Sequence, residues 1–229
     1  MSNFFDSEEA SNYEQKSLCI LLLDTSSSMD GKKINSLNKG VEVFYNEILQ
    51  DPVLSNRLEL CVISYNSIVK VIQQPSLVEN INLPKLHGNG VTSMAEGIKT
   101  AIEVVEARKS WYKITGQPYY RPWIINITDG VPTDMRNNGI DFYGDLIRKN
   151  VDQKNFFFFN IGVESANMKV LQLLSSLQMP PAKLQGLKFA DFFQWLSASI
   201  QMVNASSDRG DDTINLPSPG DWMQGFKVS

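Results

Sequence analysis

The chain has 229 residues, of which 42% are hydrophobic and 20% charged, a composition that excludes a mainly disordered or low-complexity protein. Its net charge of −4, without any block of lysines and arginines, argues against nucleic acid or an anionic membrane as a partner. The longest apolar run, residues 18–23, is far too short to span a bilayer. The length favours one large domain.

Three segments differ in character along the chain. Residues 1–17 are an acidic, polar extension without the basic segment and apolar stretch of a signal peptide, so we expect a cytoplasmic protein. Residues 18–205 carry the periodic pattern of a folded domain. Residues 206–229 are rich in proline and glycine, and we expect this tail to pack on the domain or to fray from it.

Apolar runs of strand length alternate with segments of helical period, which is typical of a parallel sheet covered by helices. The run of four phenylalanines at 156–159 fits a central strand that is buried on both faces. The pattern predicts a three-layer, Rossmann-like α/β fold with five to six mostly parallel strands, one antiparallel edge strand and helices on both faces. The predicted elements are strands over 18–23, 58–64, 68–72, 123–128 and 156–163, and helices over 32–50, from 94, over 168–177 and over 191–203.

The helix that begins at Met94 is preceded by a possible capping box. Ser93 and Glu96 have the spacing at which each side chain satisfies a free amide of the first helical turn. We therefore expect these two residues to cap the helix.

Polar residues follow two of the predicted buried strands. Asp24, Ser26 and Ser28 follow the first strand at alternate positions, and Asp129 follows the strand over 123–128. Thr92 lies in a glycine-containing loop before the Met94 helix. In open parallel sheets ligands bind beyond the carboxyl ends of the strands, where the strand order reverses. These side chains are therefore the candidate site.

Two carboxylates and three hydroxyls, without sulfur or imidazole, are oxygen ligands that suit Mg²⁺, Mn²⁺ or Ca²⁺. The two negative charges about balance one divalent cation, whereas the neutral hydroxyls weaken its charge little, so an open position would still attract a carboxylate from another protein. We expect Met29, Asp30 and Tyr65 to form the rim of this site. Asp134 is interpreted as a turn residue.

The residues that carry this chemistry also resemble those of a known family. DTSSS at 24–28, the Thr92 loop and ITDG at 127–130 are similar to the metal-ion-dependent adhesion site (MIDAS) of von Willebrand factor A (VWA) domains. The resemblance implies that Ser26, Ser28 and Thr92 bind the ion directly, and that Asp24 and Asp129 do so directly or through water. It also implies a divalent cation, Mg²⁺ above all, and a partner that completes the metal shell with Asp or Glu.

A narrower resemblance involves residues 116–123, 129–134 and 193–197, which are similar to bacterial intracellular proteins of the tellurite-resistance TerY-like group. That group is associated with stress operons that also encode a kinase and a PP2C-type phosphatase. The resemblance implies a cytoplasmic adaptor in a stress-response complex, with one of these enzymes as a possible partner. Many members carry glycine where this chain has Ser27 and Ser93, which alters loop shape but not the ligand types.

Three functions compete at this point. The favoured one is a non-catalytic module that binds a protein partner through a divalent metal. The second is a metal-dependent phosphohydrolase with Asp24 as nucleophile, although Ser26 stands where such an enzyme of the haloacid-dehalogenase type needs a second Asp. The third is a structural subunit whose metal only stabilises the fold. Neither a P-loop nor a G-x-S-x-G elbow occurs in the sequence.

Overall fold

The computed structural model describes residues 12–83, 85–207 and 216–224. Within these residues no helix is both long enough and apolar enough to cross a membrane. The strands are β1 (Ser17–Asp24), β2 (Leu58–Tyr65), β3 (Val69–Leu77), β4 (Trp123–Thr128), β5 (Phe157–Gly162), β6 (Ala182–Leu184) and β7 (Met223–Gln224). The helices are α1 (Lys32–Gln50), α2 (Leu54–Arg57), α3 (Met94–Thr115), α4 (Gly139–Asp152), α5 (Met168–Leu173) and α6 (Phe189–Ser207).

The described strands form one sheet in the order β3-β2-β1-β4-β5-β6-β7. The inner pairs are parallel, whereas β3 runs antiparallel to β2 and β7 antiparallel to β6. The predicted mostly parallel α/β architecture with an antiparallel edge strand is therefore confirmed. The described sheet has seven strands instead of the predicted five to six, and β7 is a second antiparallel strand. Strands β6 and β7 were missed because they are too short to show a period of two.

Helices cover both faces of the sheet, and the alternation of side chains along each strand divides the core into two layers. On β1, Cys19, Leu21 and Leu23 pack on the side of α1 and α6, while the residues between them face α3, α4 and α5. The phenylalanines of 156–159 alternate in the same way. This run is therefore a buried inner strand, as predicted.

The start of α3 differs from the expectation. Ser93 precedes the helix, but its side chain makes no capping hydrogen bond. The carboxylate of Asp134 instead accepts hydrogen bonds from the backbone amides of Ala95 and Glu96, both at 3.1 Å. The predicted capping box is wrong, because a residue from the β4–α4 loop satisfies the first turn of α3. Asp134 is thus a helix cap rather than only a turn residue.

The described part of the tail, 216–224, packs on the domain. Trp222 is buried, and its ring lies 5.0 Å from that of Phe192 and 5.1 Å from that of Trp195 on α6. The indole Nε1 of Trp195 also donates to the Pro217 carbonyl at 2.8 Å. These contacts hold β7 at the edge of the sheet beside β6. Residues 1–11, 208–215 and 225–229 of the two terminal segments lie outside the described residues.

Candidate functional site

The candidate site lies where the order of the strands reverses. The chain passes from β1 to β2 on one side of β1, and later continues through β4 and β5 on the other side. In a parallel sheet, a crevice forms beyond the carboxyl ends of the strands at the point where the strand order reverses, here between β1 and β4. Asp24 ends β1, and Asp129 comes directly after β4, so both carboxylates lie at this crevice.

Asp24 is fully buried and accepts hydrogen bonds from Ser26 and Thr128. Its Oδ1 accepts from the Ser26 amide at 2.8 Å, and its Oδ2 accepts from the Thr128 hydroxyl at 2.5 Å. Burial raises the pKa of Asp24 above its usual range, since these hydrogen bonds offset only part of the lost hydration, and the nearby charge of Asp129 adds to the shift. The Asp24 carboxylate therefore gains from a cation placed beside it.

The loop after β1 joins Asp129 to the serine hydroxyls. A single 3₁₀ turn over Ser27–Met29 brings Ser26 Oγ within 3.0 Å of Ser28 Oγ. Ser28 Oγ then donates to Asp129 Oδ1 at 2.6 Å. Asp129 and Ser26 are buried, whereas Ser28 is exposed. The structure thus forms one chain of oxygen atoms from this loop to the end of β4.

The loop that carries Thr92 approaches the same crevice as the loops that follow β1 and β4. A methyl group built on Gly130 would lie 3.1 Å from Thr92 Oγ1 and 3.5 Å from Asp24 Oδ2, so both oxygens face the same backbone position. Gly90 has a positive φ of 74°, and a side chain there would clash with the Ser67 hydroxyl. Glycine is therefore required for the loop to come this close. The structure brings all five predicted residues to one place.

The predicted rim is wrong for two of its three residues. Met29 and Tyr65 are fully buried, and the Tyr65 hydroxyl donates to Asn126 Oδ1 at 2.8 Å beneath the site. The 3₁₀ turn directs Met29 into the core next to α1, a rotation that the sequence spacing did not reveal. Asp30 is exposed, as a rim residue should be.

Two charged residues that the sequence reasoning missed lie against the site. Lys33, from the first turn of α1, forms an ion pair with Asp129 Oδ2 and a second one with Glu164 Oε2 at 3.3 Å. Burial by itself lowers the pKa of Lys33, but the hydrogen bonds and charges of Asp129 and Glu164 together outweigh it, so the pKa of Lys33 is raised. The one sequence signal for Lys33 is its position in the first turn of α1, directly after the loop that carries Ser26 and Ser28.

The donor set fits a hard divalent cation. Both carboxylates are buried and close enough for their charges to interact, and hydroxyl oxygens adjoin them. Among the described residues, no three His, Cys, Asp or Glu side chains are grouped as metal ligands. The candidate site contains two such side chains, Asp24 and Asp129, so serine and threonine hydroxyls would have to supply any other protein ligands.

The comparison with protein families decides the classification. The sequence model of the von Willebrand factor type A domain matches residues 19–181, more than half of the chain. The chain belongs to this family. VWA domains are protein-protein interaction or adhesion modules, and this general class of function applies to the chain. The comparison with curated proteins finds no significant match.

Solved structures show the same VWA fold. The PilB minor pilin from Streptococcus sanguinis is 14% identical, with a TM-score of 0.57 over 82% of this chain and 63% of that one. The ArnB paralog VWA2 from Sulfolobus acidocaldarius is 17% identical, with a TM-score of 0.53 over 83% and 46%. Proximal thread matrix protein 1 from the mussel byssus is 15% identical, with a TM-score of 0.55 over 81% and 46%. The chain thus spans less than two thirds of each of these proteins, and at these identities the likeness concerns the fold.

Proposed function

We propose that this VWA domain is a non-catalytic module that binds a protein partner through a divalent metal, Mg²⁺ above all. Asp24, Ser26, Ser28, Thr92 and Asp129 hold the ion, and the partner contributes an Asp or Glu side chain. The observation that carries the proposal is the convergence of two buried carboxylates and three hydroxyls at the strand-order reversal of a VWA fold.

Each part of the chain has a defined task in this proposal. Asp24 and Asp129 supply the negative charge, and the Ser26 amide and Thr128 hydroxyl fix the orientation of the Asp24 carboxylate. Ser28, the exposed member of the set, borders solvent, so a partner can approach from its side. A bound divalent cation supplies the positive charge to which a partner carboxylate binds.

The narrower biological role rests on the sequence resemblance alone. The similarity of residues 116–123, 129–134 and 193–197 to the TerY-like group supports a cytoplasmic adaptor in a bacterial stress-response system of the tellurite-resistance type. An operon-encoded kinase or PP2C-type phosphatase is the corresponding partner. Tellurite chemistry itself has no support, because both cysteines are buried within the core.

The metal is tested by thermal unfolding of EDTA-treated protein titrated with Mg²⁺, Mn²⁺ and Ca²⁺. An ion that binds only the folded state stabilises it by about 2.7 kcal/mol at 100 times its Kd. We expect this rise for the parent and for Asp145→Asn, an exposed carboxylate of α4, but not for Asp129→Asn. An equal rise in Asp129→Asn would contradict the site.

Partner binding needs a separate experiment. The tagged chain is incubated with lysate of its own organism in Mg²⁺ or in EDTA, and retained proteins are compared for the parent, Asp145→Asn and Asp129→Asn. We expect a partner that is retained only with Mg²⁺ and only by the first two proteins. Retention that is equal in EDTA would favour a structural subunit with a purely stabilising metal.

The enzymatic alternative has its own test. A phosphohydrolase would turn over para-nitrophenyl phosphate with Mg²⁺ and lose that activity in Asp24→Asn. We expect no turnover above the level of the variant. Ser26 supports this expectation, since it carries no acid–base group at the position where the second carboxylate of such an enzyme stands.

A further inference from the structure

Lys33 reaches the candidate metal site from the first turn of α1. Its ammonium contacts Asp129 Oδ2, the Ser28 carbonyl at 3.1 Å and Glu164 Oε2 at 3.3 Å. The side chain is only 17% exposed, and that of Asp129 is fully covered. The ammonium is therefore held by three oxygens rather than being a mobile surface charge.

This contact uses the same carboxylate that the metal requires. Ser28 Oγ donates to Asp129 Oδ1, and Lys33 occupies Asp129 Oδ2, so both oxygens of Asp129 already have a partner. A divalent ion at the site must share Asp129 with the ammonium or displace it. Two positive charges that share one carboxylate repel each other, and this repulsion is strong where little water screens it.

We propose that Lys33 is a tethered competitor of the divalent cation, which lowers the affinity of the site for metal. The proposal rests on the proposed function, because it concerns the same five ligands. Glu164 provides an alternative partner for the ammonium, since it contacts Lys33 and, with its side chain 44% exposed, lies at the surface. Lys33 thus stabilises the metal-free state and sets the concentration at which metal binds.

A different role for Lys33 predicts the opposite result. If the lysine only holds Asp129 in the geometry that a metal needs, its removal weakens metal binding. If it competes, its removal strengthens metal binding and at the same time lowers the stability of the metal-free protein, because the buried Asp129 loses its counter-ion. The pair of measurements separates the two roles.

The experiment is isothermal titration of the EDTA-treated full chain with Mg²⁺, together with thermal unfolding in EDTA. The variants are Lys33→Met and Lys33→Gln, of which the second retains a hydrogen-bond donor without the charge. Lys32→Met is the matched control, because Lys32 is exposed and its loss changes the net charge equally.

We expect a roughly tenfold lower Kd for both Lys33 variants, equivalent to about 1.4 kcal/mol, together with a lower melting temperature in EDTA. Lys32→Met should stay within about twofold of the parent in Kd. If the parent binds Mg²⁺ and both Lys33 variants have an unchanged or higher Kd, the proposed competition by Lys33 is wrong, whereas the proposed function stands. Absence of binding in the parent and in every variant would overturn both.

Discussion

The hydroxyl of Thr128 is predicted to stabilise the charged form of the buried Asp24 carboxylate. Thr128 is fully buried, donates to Asp24 Oδ2 at 2.5 Å, and accepts from the Gly130 amide at 3.0 Å. Thr128→Val preserves the shape of the side chain but removes both hydrogen bonds. The Asp24 carboxylate then keeps only its hydrogen bonds from the amide and side chain of Ser26 among these contacts.

The expected loss of stability follows from the charge of the acceptor. A hydrogen bond to a charged group contributes about 1.5–3 kcal/mol, and the partly exposed Gly130 amide can recover some of its loss from water. We therefore expect Thr128→Val to lower the free energy of unfolding by about 2–3 kcal/mol. For a domain of this size, about 2–4 °C per kcal/mol gives a fall in melting temperature of about 4–12 °C.

The pH dependence of this loss has a defined sign. Because burial raises the pKa of Asp24, the folded protein binds this proton more tightly than the unfolded chain does. Stability from this group is therefore greatest at acid pH and falls as the pH rises from the unfolded pKa through the folded one. Removing the Thr128 donor raises the folded pKa further, so Thr128→Val should lose most at neutral pH and less as Asp24 becomes protonated.

The assay is urea unfolding of metal-free protein at a series of pH values. Thr100→Val is the control, since the Thr100 hydroxyl donates to the neutral Glu96 carbonyl on the same helix at 2.8 Å. Thr100→Val should lower the free energy of unfolding by no more than about 1 kcal/mol at every pH. A loss below about 0.5 kcal/mol for Thr128→Val, or one that grows toward acid pH, would refute the reasoning.

Two further predictions concern stability, both measured by urea unfolding. Arg108 contacts the buried Glu59 carboxylate at 2.7 and 2.8 Å, so Arg108→Met leaves that carboxylate without its charge partner. This variant should lose about 3–5 kcal/mol of unfolding free energy. Lys99→Met removes an exposed ion pair on the same helix and should lose less than about 1 kcal/mol. Asp134→Ala removes the cap of α3 and should cost about 1 kcal/mol, with faster hydrogen exchange in its first turn, whereas Asp145→Ala, 78% exposed, should change neither. Equal effects in variant and control would contradict either prediction.

The sequence alone was sufficient for the architecture and for the positions of the candidate ligands. Apolar runs and helical spacing are local patterns, so they predicted β1, β2, β4, β5 and the helices α1 and α6 close to their observed bounds, and the start of α3 at Met94. The observed ends of α5 and α6 differ from the predicted ones by a few residues, because the position of a helix end depends on the tertiary contacts made there. Asp24 and Asp129 could be placed at one edge of the sheet because parallel strands share the direction of their carboxyl ends.

Only the tertiary structure decided how these side chains are paired. Lys33 and Asp129 are 96 residues apart in sequence, and Thr128 and Asp24 are 104 apart, so no local pattern links them. Asp134 replaces the predicted cap because the β4–α4 loop passes over the start of α3. Hydrogen bonds and ion pairs form between groups that the fold brings together, and their partners are therefore set by packing rather than by spacing along the chain.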